Sequence, residues 1–393
     1  MANKRVLVVD DSCLYQRLLS DVINAHENLD VVGVAANGKV ALEMVSSTRP
    51  DLITLDILMP EMDGIQTLIE LRKSWPEVKT LMVSSLTSEG SDAALDALAL
   101  GAGEYATKPA SGGGIGTIRG DLTADVIPKI ESLCGLQMHE FKAGKEHRTK
   151  PSVQKAPQAA AKIGSLQSRP RQSDSRQNAV DLLAIGVSTG GPDALAKLLS
   201  TLPASIGVPV LIVQHMPAQF TTKLAKRLNM AGELNVVEAQ MGDKLRAGTV
   251  YIAPGNFHMV VDRVGVDVVI NLNQEEPEHS CRPSVDPLFR SVAKVYGARC
   301  LGLIMTGMGA DGLNGCQALS SAGCPIIVQD KLTSVVWGMP KLVAMAGLAL
   351  EQVPLDELSD AICRYIKGPV VPKGRAAAIP QADKQSAVLG GRS

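Results

Sequence analysis

Along the first 138 residues, short apolar runs alternate with stretches whose apolar positions recur at helical spacing. The runs VLVVD, VVGVA, LITLD, TLMVSS and GEYATKP are brief and apolar throughout, whereas CLYQRLLSDVINAH and AALDALALG carry the 3.6-residue period of amphipathic helices. Strands apolar on both faces and separated by helices predict βαβ units around a parallel sheet. From residue 179 the alternation resumes with DLLAIGVS, PVLIVQHM, GTVYIAP, VVINL, RCLGLIMTG and PIIVQ. These predict a second, larger, doubly wound and mostly parallel α/β sheet over 179–368. Residues 139–178 lack apolar periodicity and are rich in Gln, Ser, Ala, Lys and Arg, which predicts a flexible linker, while 369–393 read as a disordered tail. No solenoid-length repeat is visible.

Composition narrows the function. The 393 residues are 45% hydrophobic, enough for two domains with cores of their own. The net charge of −1 is unevenly spread, with −8 on residues 1–138, +6 on the linker and +1 on the remainder. With 3% aromatics and this near-neutral balance, the chain lacks the electrostatic footprint and stacking platform of a nucleic-acid binder. The 7 cysteines form no CxxC pair, which fits reduced thiols and a cytoplasmic location. The start, MANKRVLVVDDS, has too short an apolar run for a signal peptide, and no stretch is long enough to insert in a membrane.

In doubly wound sheets, functional groups collect beyond the carboxyl ends of the strands. The first run ends in Asp10 and Asp11, the third in Asp56, the fourth in Ser84 and the fifth in Lys108 followed by Pro109. Three gathered carboxylates repel one another and require a hard cation with oxygen ligands, for which Mg²⁺ is the physical solution. Asp56 is then a candidate nucleophile toward a phosphoryl group, with metal and Lys108 neutralising the developing charge and Ser84 bonding the new oxygens. Each aspartate alone reads as an ordinary turn or cap residue. Together and in order, VVDDS, TLDILMPEMDG, VSS and KP resemble the receiver domain of two-component response regulators over roughly residues 3–125. The resemblance implies a flavodoxin-like, five-stranded parallel sheet, Asp56 as phospho-acceptor, and Mg²⁺ on Asp10, Asp11 and Asp56. It also implies Ser84 as switch hydroxyl, Tyr105 as switch aromatic and Lys108 as phosphate-sensing lysine. Leu58 departs from the glutamate common at that position in such domains.

In the second segment, LLAIGVS ends at Ser188 and TGGP leads into the helical stretch DALAKLLS. This puts a hydroxyl at a tight turn relieved by Gly190 and Gly191, with free helix N-terminal amides able to stabilise an oxyanion. PVLIVQ ends at His215, and CLGLIMTG leads into Met308-Gly309-Ala310-Asp311-Gly312. In parallel strands of one sheet these ends share an edge, so a nucleophile, a base and an orienting carboxylate can meet. The order Ser, His, Asp matches neither serine proteases nor α/β-hydrolases, which argues for a separate fold. Plainer roles stay open: Ser188 as a helix N-cap, His215 as a bonded core histidine, Asp311 as the cap of DGLNGCQAL. No G-x-G-x-x-G follows the strand, which disfavours a dinucleotide cradle. His258 and His279 are alternative bases, but neither closes a strand beside the Ser188 turn. Asp286 is a competing acid whose Pro-flanked setting reads as a turn or cap, Arg282 could help position a carboxylate but reads more naturally as solvated or salt-bridged, and the cysteines read as small apolar packing.

GVSTGGP, QHMP, APGNFHM, RPSVDPLF, TGMGADG and VWGMP, in this order behind a receiver, resemble the chemotaxis protein-glutamate methylesterases of the CheB family. The resemblance covers about residues 3–365 apart from the linker. It implies hydrolysis of glutamate γ-methyl esters, and deamidation of particular glutamines, on chemoreceptors. Carried over, Ser188 is the nucleophile, His215 the general base and acid, and Asp311 the orienting acid, with Thr189, Gly190 and the Met308 amide as oxyanion or substrate contacts. The implied cofactor is Mg²⁺ for receiver phosphorylation, with none for ester hydrolysis; the implied phosphodonor is a CheA-type histidine kinase, with recruitment to membrane chemoreceptor arrays. The domain pairing suggests occlusion of the Ser188 edge by the unphosphorylated receiver. An adaptor without hydrolysis is the alternative, and intact Ser188, His215 and Asp311 argue against it. A DNA-binding output is disfavoured by the near-neutral second domain.

Overall fold

Each apolar run of the first segment forms a strand, because aliphatic side chains on both faces leave water only when helices cover both sides. The computed structural model describes residues 2–85, 88–109, 114–136 and 180–367; the expected linker at 139–178 and tail at 369–393 lie outside the described residues. The order is β1 (Lys4–Val9), α1 (Cys13–Asn24), β2 (Leu29–Ala35), α2 (Gly38–Thr48), β3 (Leu52–Asp56), α3 (Gly64–Ser74), β4 (Lys79–Ser85), α4 (Ser88–Ala99), β5 (Glu104–Lys108) and α5 (Ile115–Leu133). The parallel sheet runs β2-β1-β3-β4-β5, so the ends carrying Asp10, Asp56, Ser84 and Lys108 share one edge. The segment MPEMDG turns the chain there, and Asp63 caps α3 through a reciprocal capping box with Gln66. A Cβ at Gly64 would lie 2.2 Å from the Asp56 carbonyl oxygen, so only glycine lets α3 start this close to the acceptor strand.

The second segment runs β6 (Leu182–Val187), α6 (Gly191–Thr201), β7 (Val210–Gln214), α7 (Ala218–Ala231), β8 (Asn235–Glu238), β9 (Thr249–Ile252), β10 (His258–Val264) and β11 (Asp267–Asn273). It continues with α8 (Val285–Tyr296), β12 (Cys300–Ile304), α9 (Leu313–Ser321), β13 (Ile326–Gln329), α10 (Met339–Met345), β14 (Glu351–Val353) and α11 (Leu358–Lys367). Seven strands pair in parallel in the order β14-β13-β12-β6-β7-β9-β8. The chain moves outward from β6 through β7, then returns to β12 on the other side of β6. The ends of β12, β6 and β7 therefore flank the point where strand order reverses. One expectation is corrected: VVINL lies in β11, which pairs antiparallel with β10 in a separate two-stranded hairpin. Its burial pattern is mixed rather than continuous, the mark of a ribbon with a wet face. The edge strands β8 and β14, of 4 and 3 residues, are too short to show a period.

The two domains share one apolar layer, in which receiver residues such as Leu95, Leu98 and Tyr105 join Leu195, Leu199 and Phe220 of the second domain. The rings of Tyr105 and Phe220 stack with centroids 4.7 Å apart. Around them, Lys223 of α7 pairs with Asp92 at 2.8 Å, and Arg227 donates to the Leu95 carbonyl at 2.6 Å and to Asp96 at 3.1 Å. No described helix is long and apolar enough to cross a membrane.

Candidate active site

The β6 strand is buried along its whole length and delivers Ser188 to a turn closed by the Gly191 amide bonding the Ser188 carbonyl at 2.8 Å. Gly190 takes a φ of 74° there, a conformation open to glycine at no steric cost, and the turn passes directly into α6. His215 follows β7 on the neighbouring strand, and its Nδ1 lies 3.1 Å from Ser188 Oγ. Its Nε2 lies 2.7 Å from Asp311 Oδ2. With Nε2–H donating to the carboxylate, Nδ1 presents its lone pair to the serine hydroxyl. The amides of Thr189, Gly190 and Met308 have no hydrogen-bond partner among the described residues.

Asp311 does not cap the helix that follows it. Its Oδ1 accepts from Ser284 Oγ at 2.7 Å, from the Asp286 amide at 3.0 Å and from the Gly312 amide at 2.8 Å, and its Oδ2 accepts from the Val285 amide at 2.7 Å. It thus caps α8, whereas Asp286 caps α9 by accepting from the Gly315 amide at 2.6 Å. Each acid closes the N-terminus of the other's helix, which locks the Asp311 carboxylate in place. His279 spends its Nε2 on Asp286 at 2.9 Å, and buried His258 lies between the Glu276 carbonyl and the Ser284 amide. Neither reaches the serine. Arg282 is held by the Gln274 and Glu275 carbonyls and by Asn256, a structural role.

Burial alone would push the His215 imidazole down, but hydrogen bonds to Asp311 and Cys281 outweigh it and hold the group well above the usual imidazole range. Asp311 is lowered in return: burial pushes it up, and the contact with His215 more than offsets this.

At the receiver edge, Lys108 Nζ bridges Asp10 at 2.8 Å and Asp56 at 2.7 Å. Burial raises both carboxyls, and the ammonium offsets part of that rise. Ligand oxygens of Asp10, Asp11 and Asp56 all lie within 4.8 Å of one another, with Asp11 exposed toward solvent. This all-oxygen donor set fits a small hard divalent cation. Ser84 is buried, and its hydroxyl donates to the Gly90 carbonyl of α4 at 3.0 Å.

The two sites are joined by β5. Lys108 stands at its carboxyl end, Tyr105 stacks on Phe220, and buried Glu104 at its start neighbours Thr189 of the second domain, a contact that draws its carboxyl down against the effect of burial. The receiver thus reaches the residue directly after Ser188. A cleft of about 350 Å³ between the domains, lined by Arg72, Leu98, Gly103, Gly190, Pro192 and Val335, runs beside the same turn.

Four contributors were not evident from sequence. Gln214 Nε2 donates to the Ser188 carbonyl at 3.0 Å and to the His215 carbonyl at 3.2 Å, tying the Ser188 turn to the end of the His215 strand. Ser284 braces Asp311, Cys281 contacts His215, and Glu104 reaches across from the receiver. Gln214 had a signal, a polar residue directly preceding His215 at the end of an apolar strand; the other three depend on tertiary contacts.

The arrangement defines a class: a serine hydrolase on a parallel sheet, fused to a receiver-type carboxylate site. Comparison with known proteins agrees. The chain matches the family model for CheB methylesterase over residues 183–362 and that for the response regulator receiver domain over 6–115. It is 43% identical over 366 residues to the protein-glutamate methylesterase/protein-glutamine glutaminase of Trichodesmium erythraeum (strain IMS101), covering 93% of this chain and 100% of that one. The like-named protein of Pyrococcus abyssi (strain GE5 / Orsay) is 36% identical over 371 residues, covering 92% and 94%. The crystal structure of the Thermotoga maritima CheB methylesterase catalytic domain is similar at 36% identity and TM-score 0.47, covering 47% of this chain and 98% of that chain. The chain belongs to the protein-glutamate methylesterase/protein-glutamine glutaminase family, the CheB methylesterases with a receiver domain.

Proposed function

We propose that this protein hydrolyses glutamate γ-methyl esters, and deamidates particular glutamines, on chemoreceptors, in the cytoplasm and recruited to membrane receptor arrays, under control of phosphorylation at Asp56 by a CheA-type histidine kinase. The observation that carries the hydrolytic reading is the hydrogen-bonded series Ser188–His215–Asp311 beside open amides. Ser188 Oγ attacks the ester carbonyl as His215 Nδ1 takes its proton, and the amides of Thr189, Gly190 and Met308 receive the developing oxyanion. Collapse expels methanol with the proton from His215, and water then releases the γ-carboxylate by the reverse proton path. With a glutamine side chain, ammonia leaves in place of methanol.

Bound at Asp10, Asp11 and Asp56, Mg²⁺ supplies charge neutralisation for the incoming phosphoryl group. The Asp56 carboxylate attacks the phosphorus of the kinase's phosphohistidine, the P–N bond breaks and the imidazole leaves, and Lys108 follows the new charge. Ser84 then turns its hydroxyl from Gly90 to the phosphate, releasing the first turn of α4, which carries the Asp92, Leu95 and Asp96 contacts to α7. Movement of β5 withdraws Tyr105 from Phe220 and Glu104 from Thr189, which uncovers the catalytic turn.

The test is methanol release from methylated chemoreceptor cytoplasmic fragments, with and without a small phosphodonor and Mg²⁺. Donor-stimulated release is expected in the native chain, with the stimulation lost in Asp56→Asn while basal release persists. Confirmed phosphorylation with no release from any receptor would leave the adaptor reading in its place.

A pH profile tests the proton chemistry. Because His215 is held above its ordinary range and acts as base only when neutral, kcat/KM should climb with pH above neutrality, after subtraction of release by Ser188→Ala. In Asp311→Asn the residual activity should climb at lower pH, since only Cys281 then opposes the effect of burial on the imidazole. A rise at unchanged pH in both proteins would exclude His215 as the titrating base.

A further inference from the structure

Two cysteines of the second domain face each other at the sheet edge opposite the catalytic turn. Cys300 opens β12, and the register Gly302↔Ile326 sets it beside Cys324 at the entry to β13. Adjacent strands lie about 4.8 Å apart, inside the Cα separation a disulfide bridges. Both thiols point at the Gly297 carbonyl, Cys300 Sγ at 3.6 Å. The side chains are 0% and 6% exposed, yet only one layer deep, since Ala298, Arg299 and Gly323 next to them are exposed.

We propose that Cys300 and Cys324 form a reversible disulfide when the protein meets a hydroperoxide, a covalent staple across β12 and β13. Cys324 keeps 6% of its surface open to solvent where Cys300 keeps none, which makes Cys324 the sulfur that meets the oxidant first. The Cys324 thiolate displaces hydroxide from hydrogen peroxide, which leaves as water after taking a proton, and the sulfur becomes a sulfenic acid. The Cys300 sulfur then attacks that sulfur, forming the S–S bond and releasing a second water. In sum two thiols are oxidised, one peroxide is reduced to two waters, and thiol–disulfide exchange with a dithiol reverses the change.

The staple has a defined target. The segment it closes, 300–324, carries Met308 and Asp311, and its two ends would be fixed to each other. Both sulfurs lie at the amino ends of their strands while Ser188, His215 and Asp311 lie beyond the carboxyl ends, so the oxidised protein should keep its turnover within about twofold. Its thermal midpoint should rise by roughly 5–10 °C, the shift expected when a loop of this length is closed in the unfolded chain.

The experiment treats the native full-length protein with hydrogen peroxide, alkylates remaining thiols before unfolding, and maps peptides without reduction. A Cys300–Cys324 linkage lighter by two hydrogens, lost on adding dithiothreitol and accompanied by the higher midpoint, is expected. Cys324→Ser and Cys324→Ala should each lose the linkage and the shift while melting, when reduced, close to the native protein. The native map decides the matter even if a variant fails to fold. Sulfinic acid at Cys324 without linkage, or oxidation confined to exposed Cys13, would overturn the proposal.

Discussion

Asp311→Ala is expected to lose both turnover and stability, whereas Ser188→Ala loses turnover alone. Among the described residues Ser188 Oγ bonds only His215 Nδ1, at 3.1 Å, so removing it costs the fold little. Methanol release should nevertheless fall by about 10⁵-fold or more, because no acyl-enzyme can form. Asp311 is different. Besides His215 it accepts from Ser284 Oγ and from the amides of Val285, Asp286 and Gly312 at 2.7 to 3.0 Å, all in a buried site. Its loss strands several buried donors at about 1–3 kcal/mol each, so a destabilisation of roughly 3–5 kcal/mol should accompany a fall in rate of about 10⁴-fold. Methanol release and thermal unfolding on the same preparations separate the two effects. If Asp311→Ala melted with the native protein, the cross-capping of α8 and α9 would not be holding the acid, and its position would need another explanation.

That dual role explains how far the sequence could be read. The triad was legible because Ser188, His215 and Asp311 each stand just past an apolar run, and parallel strands bring such ends to one edge. The receiver carboxylates were legible for the same reason. What Asp311 touches was not: the one cap the sequence offered it was on its own helix α9, yet it closes α8, which begins 26 residues earlier in the chain. A cap bond depends on two helices meeting at the switch point, and local spacing carries no record of that meeting. The β10–β11 hairpin was missed in kind, since VVINL is apolar enough for a buried strand and only its mixed burial reveals the ribbon. Glu104 was invisible as a functional residue because its partner Thr189 lies across the interface in the other domain. Domain contacts of this sort pair surfaces that follow unrelated local rules.

Arg227→Glu should raise the basal, unphosphorylated activity by about tenfold and remove most of the stimulation by a phosphodonor. Arg227 donates to the Leu95 carbonyl at 2.6 Å and to Asp96 at 3.1 Å, a charged hydrogen bond worth about 1.5–3 kcal/mol and an exposed ion pair worth less. Reversing the charge sets a carboxylate against both acceptors, and each 1.4 kcal/mol lost from the closed state multiplies the open population about tenfold while that population is small. The apolar stack of Tyr105 on Phe220 remains, so the effect is a shift in population rather than complete separation. Combining Arg227→Glu with Asp96→Arg restores opposite charges across α4 and α7 and should bring basal activity back toward the native level. This rescue distinguishes interface opening from damage to α7, which the second substitution could not repair. Basal methanol release that stays at the native level in Arg227→Glu, with stimulation intact, would mean that the α4–α7 contact does not restrain the enzyme. Control would then rest on β5 alone, where Glu104 neighbours Thr189, and Glu104→Ala would be the variant to release it.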